Sequence, residues 1–182
     1  MIIETPRLIM RPMDISDGEK VVEWRNQSRI KEMNFSDKNK ILTLDGHLKW
    51  FESTRKKRID YIVEVKESKQ SIGSFNYAIL EDDEFGGLLK TAEIGKYIGE
   101  KSQEGKGYAS EANRYWLKYG FEIMKLDLII STTKIVNFSN IHINEKLGYV
   151  KSKWPESLDH LSDSWLLMKL TRENWELSKL VL

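Results

Sequence analysis

Cysteine is absent from the 182 residues, which excludes disulfides, thiolate nucleophiles and cysteine-ligated zinc or iron–sulfur centres. A surplus of one charge is missing too: 29 Lys+Arg against 28 Asp+Glu leave +1. No global field therefore recruits nucleic acid or an acidic membrane, and an anionic ligand must be held by local geometry. There is no long hydrophobic run, because Glu4, Pro6 and Arg7 interrupt "MIIETPRLIMRP" before a signal-peptide core or a membrane span could form. A cytoplasmic location is the expectation. No His/carboxylate cluster shows ligand spacing, so no metal is expected. Repeats, linkers and low-complexity tracts are also lacking. With 40% hydrophobic and 31% charged residues, the chain reads as one domain over 1–182 with a real core.

What is there is a mixture of helix and strand periods. "RLIMRPM" reads as a first strand closing at Pro12, and Asp14 or Ser16 can cap a helix carrying Val21, Val22 and Trp24. A second helix follows around "TLDGHLKWFESTRKK", where Leu44, Leu48 and Phe51 recur at helical spacing. "DYIVEVKE" and "SIGSFNYAIL" flank a turn as a hairpin, and the acidic "EDDEFGG" reads as a solvated turn before the strand "KTAEIGKYIGE". Tyr108, Ala112, Tyr115 or Trp116, Tyr119 and Ile123 lay one apolar stripe on the next helix. "LDLIISTT" has the continuous apolar character of a strand buried on both faces. "NFSNIHINEKLG" is a helix stopped by Gly148, then two strands surround a Pro155 loop and a last helix ends the chain. The expected order is βααβββαβαββα in an α+β domain.

The stretch "EGKGYASEANRYW" is the most informative. Two glycines stand directly before an amphipathic helix, and their spacing fits neither a P-loop nor a dinucleotide fingerprint. A tight strand-to-helix turn without a ligand is one reading. A phosphate cradle is the other, since first-turn amides lack partners inside a helix and the dipole favours anions there.

"EGKGYA" resembles the Gln/Arg-x-x-Gly-x-Gly/Ala coenzyme A motif of the GNAT acetyltransferases, with Gly107 and Ala109 at its last two defined places. "AEIGKYIGE" is similar to the splayed fourth strand of that family. "NFSNIHINEKLGY" resembles its Asn-x-Ala-Ser-x-x-x-x-Glu-Lys-x-Gly-Phe helix through Asn137, Ser139, Glu145, Lys146, Gly148 and Tyr149. The three blocks stand in family order. The resemblance implies the GNAT fold, a mixed, splayed central sheet flanked by helices. It divides the chain into an acceptor-side half about 1–90, an acetyl-CoA-binding core about 91–150, and C-terminal strands and helix over 151–182. Two positions depart from the pattern: Glu104 stands where Gln or Arg is usual, and Asn144 where many members carry a tyrosine acid.

The activity implied is acetyl transfer from acetyl-CoA, as cosubstrate, to a primary amine in a ternary complex. The resemblance assigns the pyrophosphate to Glu104, Gly105, Lys106, Gly107, Tyr108 and Ala109, and more of the coenzyme to Tyr97, Ile98, Gly99 and Asn137. It makes Glu93 the base and the backbone N–H of Ile98 or Tyr97 the oxyanion donor; with Asn144 in the place of the tyrosine, Ser139 is the nearest substitute donor to the leaving thiolate. An outward strand carboxylate and a helix cap are the competing readings of Glu93 and Ser139.

For the acceptor, "RLIMRPMDISD" is similar to the ribosomal-protein N-terminal acetyltransferases. "EWRNQSRIKEMNF", "DGHLKWFES" and "SIGSFNY" look more like the nucleotide-sugar N-acetyltransferases of the pseudaminic-acid type, which acylate a sugar 4-amine. Trp24 and Trp50 would then offer stacking faces, Arg25 a fork for a diphosphate, and Asn26 and His47 directional hydrogen bonds. Core packing competes for both tryptophans, and an ion pair with Glu23 or Glu32 for Arg25. A ribosomal-type protein substrate is the alternative, and a degenerate coenzyme-binding domain is the alternative of another class. Neither nucleic acid nor membrane is expected as partner, and a homodimer stays open.

Overall fold

A computed structural model describes residues 1–34, 40–81, 85 and 89–179. Most of the solvated turn expected over 81–87 lies outside them, but Phe85 within it is helical and half-buried against the Leu128, Ile130 and Leu167 cluster. Eight strands form one mixed sheet in the order β1-β2-β3-β4-β5-β6-β8-β7. They are β1 (Ile3–Glu4), β2 (Leu8–Pro12), β3 (Arg58–Val65), β4 (Ser71–Leu80), β5 (Thr91–Ile98), β6 (Leu128–Lys134), β7 (Val150–Ser152) and β8 (Trp165–Thr171). The α-helices whose bounds lie among the described residues are α1 (Gly18–Asn26), α2 (Ser28–Lys31), α3 (Leu44–Thr54), α4 (Tyr108–Lys118), α5 (Phe138–Lys146) and α6 (Arg172–Ser178). Beyond the expected order the fold adds the two-residue strand β1 and the single-turn helix α2, both too short to leave a periodic signature.

By its internal contacts the chain divides into two compact units. The first comprises Met1–Tyr77 and Gly95–Trp116. In it β2 and β3 pair antiparallel from Leu8↔Val65 to Pro12↔Tyr61, and Pro12, which has no N–H to give, stands at the end of β2. Asp14 caps the 3-10 turn Ile15–Asp17 through a capping box: it accepts from the Ser16 amide at 3.1 Å, and the Asp17 carboxylate accepts from the Asp14 amide at 2.8 Å. That turn starts α1, which buries Val21 and Trp24 with Met13, Ile30, Phe51 and Ile62. Trp116 of α4 stacks on Tyr77, ring centroids 4.8 Å apart.

The second unit comprises Ala78–Ile94 and Leu117–Leu182. β6 opens with four consecutive buried residues, as its apolar run requires, and pairs antiparallel with β8 along its whole length. On its other side it pairs parallel with β5. Among the described residues this ladder has three rungs, ending at Glu93↔Ile130, although β5 runs on to Ile98. The short ladder agrees with the splayed strand that the resemblance implies. Gly148 at φ 91 ends α5's chain path, and a Cβ there would lie 2.7 Å from the Asn174 carbonyl oxygen.

The expected stripe on α4 needs a correction. Ile123 is exposed and Tyr119 half-buried, while Gly120 and Phe121 point inward. Residues Tyr119–Ile123 form a π turn; its wider winding rotates the face that a 3.6-residue period extrapolates. Phe121 then stacks on Trp175 at 5.0 Å.

Candidate active site

The glycine turn follows β5 as expected, and both glycines need to be glycine. Gly105 has φ 75 and Gly107 φ 80, in the left-handed region that other residues avoid. A Cβ on Gly105 would meet nothing within 4 Å, so the backbone there is open to a ligand. The Glu111 amide donates to the Gly107 carbonyl at 3.0 Å. The amides of Tyr108, Ala109 and Ser110 precede that bond and are available at the start of an eleven-residue helix. First-turn amides without an intrahelical partner, an open glycine and the exposed Lys106 fit a pyrophosphate.

Two arginines that sequence reasoning missed brace this turn. The Arg7 side chain donates to the Lys106 carbonyl at 2.9 Å and to the Glu111 carboxylate at 2.6 Å, and lies 4.6 Å from the Tyr108 ring centroid. Glu111 also accepts from the Thr5 hydroxyl and the Arg7 amide. Burial alone would raise the Glu111 carboxyl, but these hydrogen bonds outweigh it and hold the carboxyl below its ordinary range. Arg29 of α2 pairs with Glu104 and donates to the Ile98 and Gly99 carbonyls. The acid that breaks the family pattern is thus neutralised by a neighbour. Lys106 itself reaches Gln103 at 2.8 Å.

Trp24 does not offer a stacking face. It is fully buried, donates its indole N–H to Glu100 at 2.9 Å and sits edge-on to Tyr97. The core reading of this residue is the right one, because an apolar helix position facing a sheet buries its tryptophan whole. Asn26 donates to the Leu42 carbonyl and accepts from the Leu42 amide, at 2.9 Å each, which holds the approach to α3 and leaves it one further N–H.

Arg25, His47 and Trp50, the remaining residues expected at the acceptor, lie together within the first unit. Arg25 and Arg58 lie over the Trp50 ring at 5.5 and 4.9 Å, and His47 stacks on the same ring at 5.7 Å. Arg58 is paired with the buried Asp60 at 3.0 Å, and Arg25 is attracted by the same carboxylate without bonding to it. Burial, with Arg58 close by, draws the Arg25 guanidinium down from its ordinary pKa. Burial raises Asp60 against the pull of Arg58. His47 is buried with its Nδ1 unpartnered, and burial and then Arg25 push its pKa down. The Tyr97 hydroxyl is buried with Ser74 beside it but no hydrogen bond of good geometry, and burial raises its pKa. Arg58 and Asp60 had no motif to announce them; a basic residue opening a strand is an ordinary feature.

In the second unit Asn137 is the N-cap of α5, its side-chain oxygen accepting from the Asn140 amide at 3.2 Å. The capping role weighed for Ser139 therefore belongs to Asn137, and Ser139 is exposed in the first turn. Asn144 is fully buried and donates to the Ser131 hydroxyl at 3.1 Å. Glu93 is half-buried on β5. Among the described residues no cluster of three or more His, Cys, Asp or Glu could hold a metal ion, and no helix is long and apolar enough to cross a membrane.

The model of the acetyltransferase (GNAT) domain matches residues 7–150. A protein of Bacillus licheniformis named "Uncharacterized N-acetyltransferase p20" is 27% identical over 93% of this chain and 96% of its own. Among solved structures, apo FdhC, named a nucleotide-linked sugar GNAT, superposes with a TM-score of 0.78 at 13% identity, covering 99% of this chain and 95% of that one. A ribosomal-protein-S5-alanine acetyltransferase from Vibrio fischeri gives 0.72 at 17%, covering 96% and 98%. At those identities the structures speak for the fold alone. With the family model spanning most of its length, this chain belongs to the GNAT family and is an acetyl-CoA-dependent N-acetyltransferase.

Proposed function

We propose that the acceptor is a primary amine on an anionic molecule, best read as the 4-amine of a nucleotide-linked amino sugar. The observation that carries this is Arg25: a half-buried guanidinium over Trp50, beside a second guanidinium on the same ring, with the Asp60 carboxylate shared between the two cations. Withdrawing such a cation from water costs free energy that an anion would offset, and a diphosphate matches the guanidinium fork. The unsatisfied His47 Nδ1 and Tyr97 hydroxyl supply further polar groups for a ligand rich in hydroxyls. FdhC's own description points the same way.

On the coenzyme side, acetyl-CoA supplies the activated acetyl group. Its pyrophosphate is assigned to the amides of Gly105–Ala109 with Lys106, and Tyr97, Ile98 and Gly99 flank the thioester. Asn137, whose oxygen caps α5, keeps its N–H groups for pantetheine. Glu93 is assigned as base, the Ile98 or Tyr97 amide as oxyanion donor and Ser139 as donor to the thiolate. The chain is read as one GNAT domain over 1–182, acting in the cytoplasm.

Release of CoA is measured with a UDP-4-amino sugar, N-terminal peptides and spermidine as acceptors. Preference for the sugar nucleotide is expected, and Arg25→Ala should raise its KM far more than that of acetyl-CoA. Preference for peptides overturns the acceptor assignment. Equal effects on both KM values remove Arg25 from it. Glu93→Gln should depress the acid limb of the pH–rate profile, and an unchanged profile removes Glu93 as base.

A further inference from the structure

No motif gives Arg29 a role, yet its guanidinium makes four contacts, three of them at or just beyond the end of β5. Nε donates to the Gln27 side chain at 2.9 Å and Nη1 to the Ile98 carbonyl at 3.1 Å. Nη1 also meets the Glu104 carboxylate, and Nη2 the Gly99 carbonyl. The opposite ends of the same two peptides are held as well. The Gly99 and Glu100 amides both donate to the Ile72 carbonyl, at 2.7 and 3.1 Å. The Ile98–Gly99 and Gly99–Glu100 peptide planes are therefore fixed from both sides, by Arg29 at their oxygens and by β4 at their nitrogens. They join the strand to the pyrophosphate turn.

We infer that Arg29 is a positioning residue for acetyl-CoA: it cancels the charge of Glu104 and sets the two peptides that aim the turn. The inference rests on reading that turn as the pyrophosphate cradle. A carboxylate at the first motif position would repel a diphosphate. Here the missing cation is supplied from α2, 75 residues upstream in the chain. The pair is half-exposed, with side-chain exposures of 28% for Arg29 and 47% for Glu104. Its worth to the fold is accordingly small, and its consequence lies in what the turn can accept.

The two partners are therefore expected to act in opposite directions. Arg29→Ala leaves Glu104 uncompensated and releases two carbonyls, so KM for acetyl-CoA and the CoA dissociation constant should rise about tenfold or more. The acceptor KM should stay within about twofold. Glu104→Gln keeps a hydrogen-bond acceptor for Arg29 but frees its charge, so CoA should bind several-fold more tightly. The double variant should recover the part of the loss due to charge, and Arg29→Lys should recover the same part. A plain structural ion pair would weaken both single variants together. The experiment is CoA titration by calorimetry and steady-state kinetics on these four variants, with the thermal midpoint of each recorded to confirm folding. Weaker CoA binding in Glu104→Gln, or a double variant no better than Arg29→Ala, overturns the inference. Gly107→Val tests the cradle separately: unchanged CoA affinity there overturns the reading of the turn itself, whatever Arg29 does.

Discussion

Gly99 and Trp24 share one volume: a Cβ on Gly99 would lie 2.2 Å from the indole ring. The ring has no room to yield, being fully buried and tied through its N–H to Glu100. Gly99→Ala should therefore shift the end of β5 itself, with a loss of about 1–3 kcal/mol as for other overpacked cores. A lower denaturant midpoint together with a raised acetyl-CoA KM is the expected result. A stability loss with unchanged KM would separate this strand end from coenzyme binding.

Gly105 separates backbone need from ligand space. Nothing lies within 4 Å of a Cβ there, so Gly105→Ala costs the folded protein only its φ of 75, about 1–2 kcal/mol. Asparagine tolerates that conformation better. Gly105→Asn should then restore much of the stability lost in Gly105→Ala, while both keep a raised KM for acetyl-CoA because the side chain occupies the approach to the amides. Thermal melts and kinetics on the two variants check this, and recovery of KM in Gly105→Asn would contradict it.

How much of this was legible in the sequence depends on range. The buried run of β6, the glycine turn and the Gly148 stop are local, because a few neighbouring residues state the backbone they need. Arg7 and Glu111 are 104 residues apart, and Arg29 and Glu104 are 75 apart. A surface arginine carries no mark of which distant acid it will meet, so both braces stayed hidden. Trp24 and Trp50 look alike as aromatic helix positions, yet one is core and the other carries two guanidiniums. Only the packing of α1 and α3 decides between them. The π turn after α4 escaped for a similar reason, since a single inserted residue per turn does not alter composition.

Asn144 stands where many family members carry a tyrosine acid, which invites the repair Asn144→Tyr. The structure argues against it. Asn144 is fully buried, with its amide on the Ser131 hydroxyl at 3.1 Å and close to the Met168 sulfur at 3.7 Å. A tyrosine would lose the hydrogen bond and overfill the site, at about 2–4 kcal/mol in total. A lowered thermal midpoint without a gain in kcat is expected. A gain in kcat with unchanged stability would mean that this helix position can turn toward the thiolate.

His47, proposed as a hydrogen-bonding residue of the acceptor site, carries a pH signature. Burial and then Arg25 lower its pKa below the ordinary 6.5, so the ring is neutral in the folded protein at pH 7. As pH falls below the unfolded value, the unfolded chain takes up a proton first, and stability is lost until the folded ring is protonated too. Above that value both states are neutral and the contribution is fully present. This loss sets in at a higher pH than that of the Glu100 and Glu111 carboxyls, which are held below their ordinary values and give up their own contribution only as pH falls below 4.5. His47→Phe keeps a flat ring against Trp50 and Phe51, where His47 stacks at 5.7 and 6.3 Å, and removes the titration. Chemical unfolding at pH 7 and at pH values stepping down from 6.5 should show a fall in wild-type stability that is smaller in His47→Phe. Parallel falls in the two proteins would mean that the His47 ring titrates alike in both states. The same protonation would set a charged imidazolium beside Arg25, so the acceptor KM should respond to pH over this range in the wild type and not in His47→Phe.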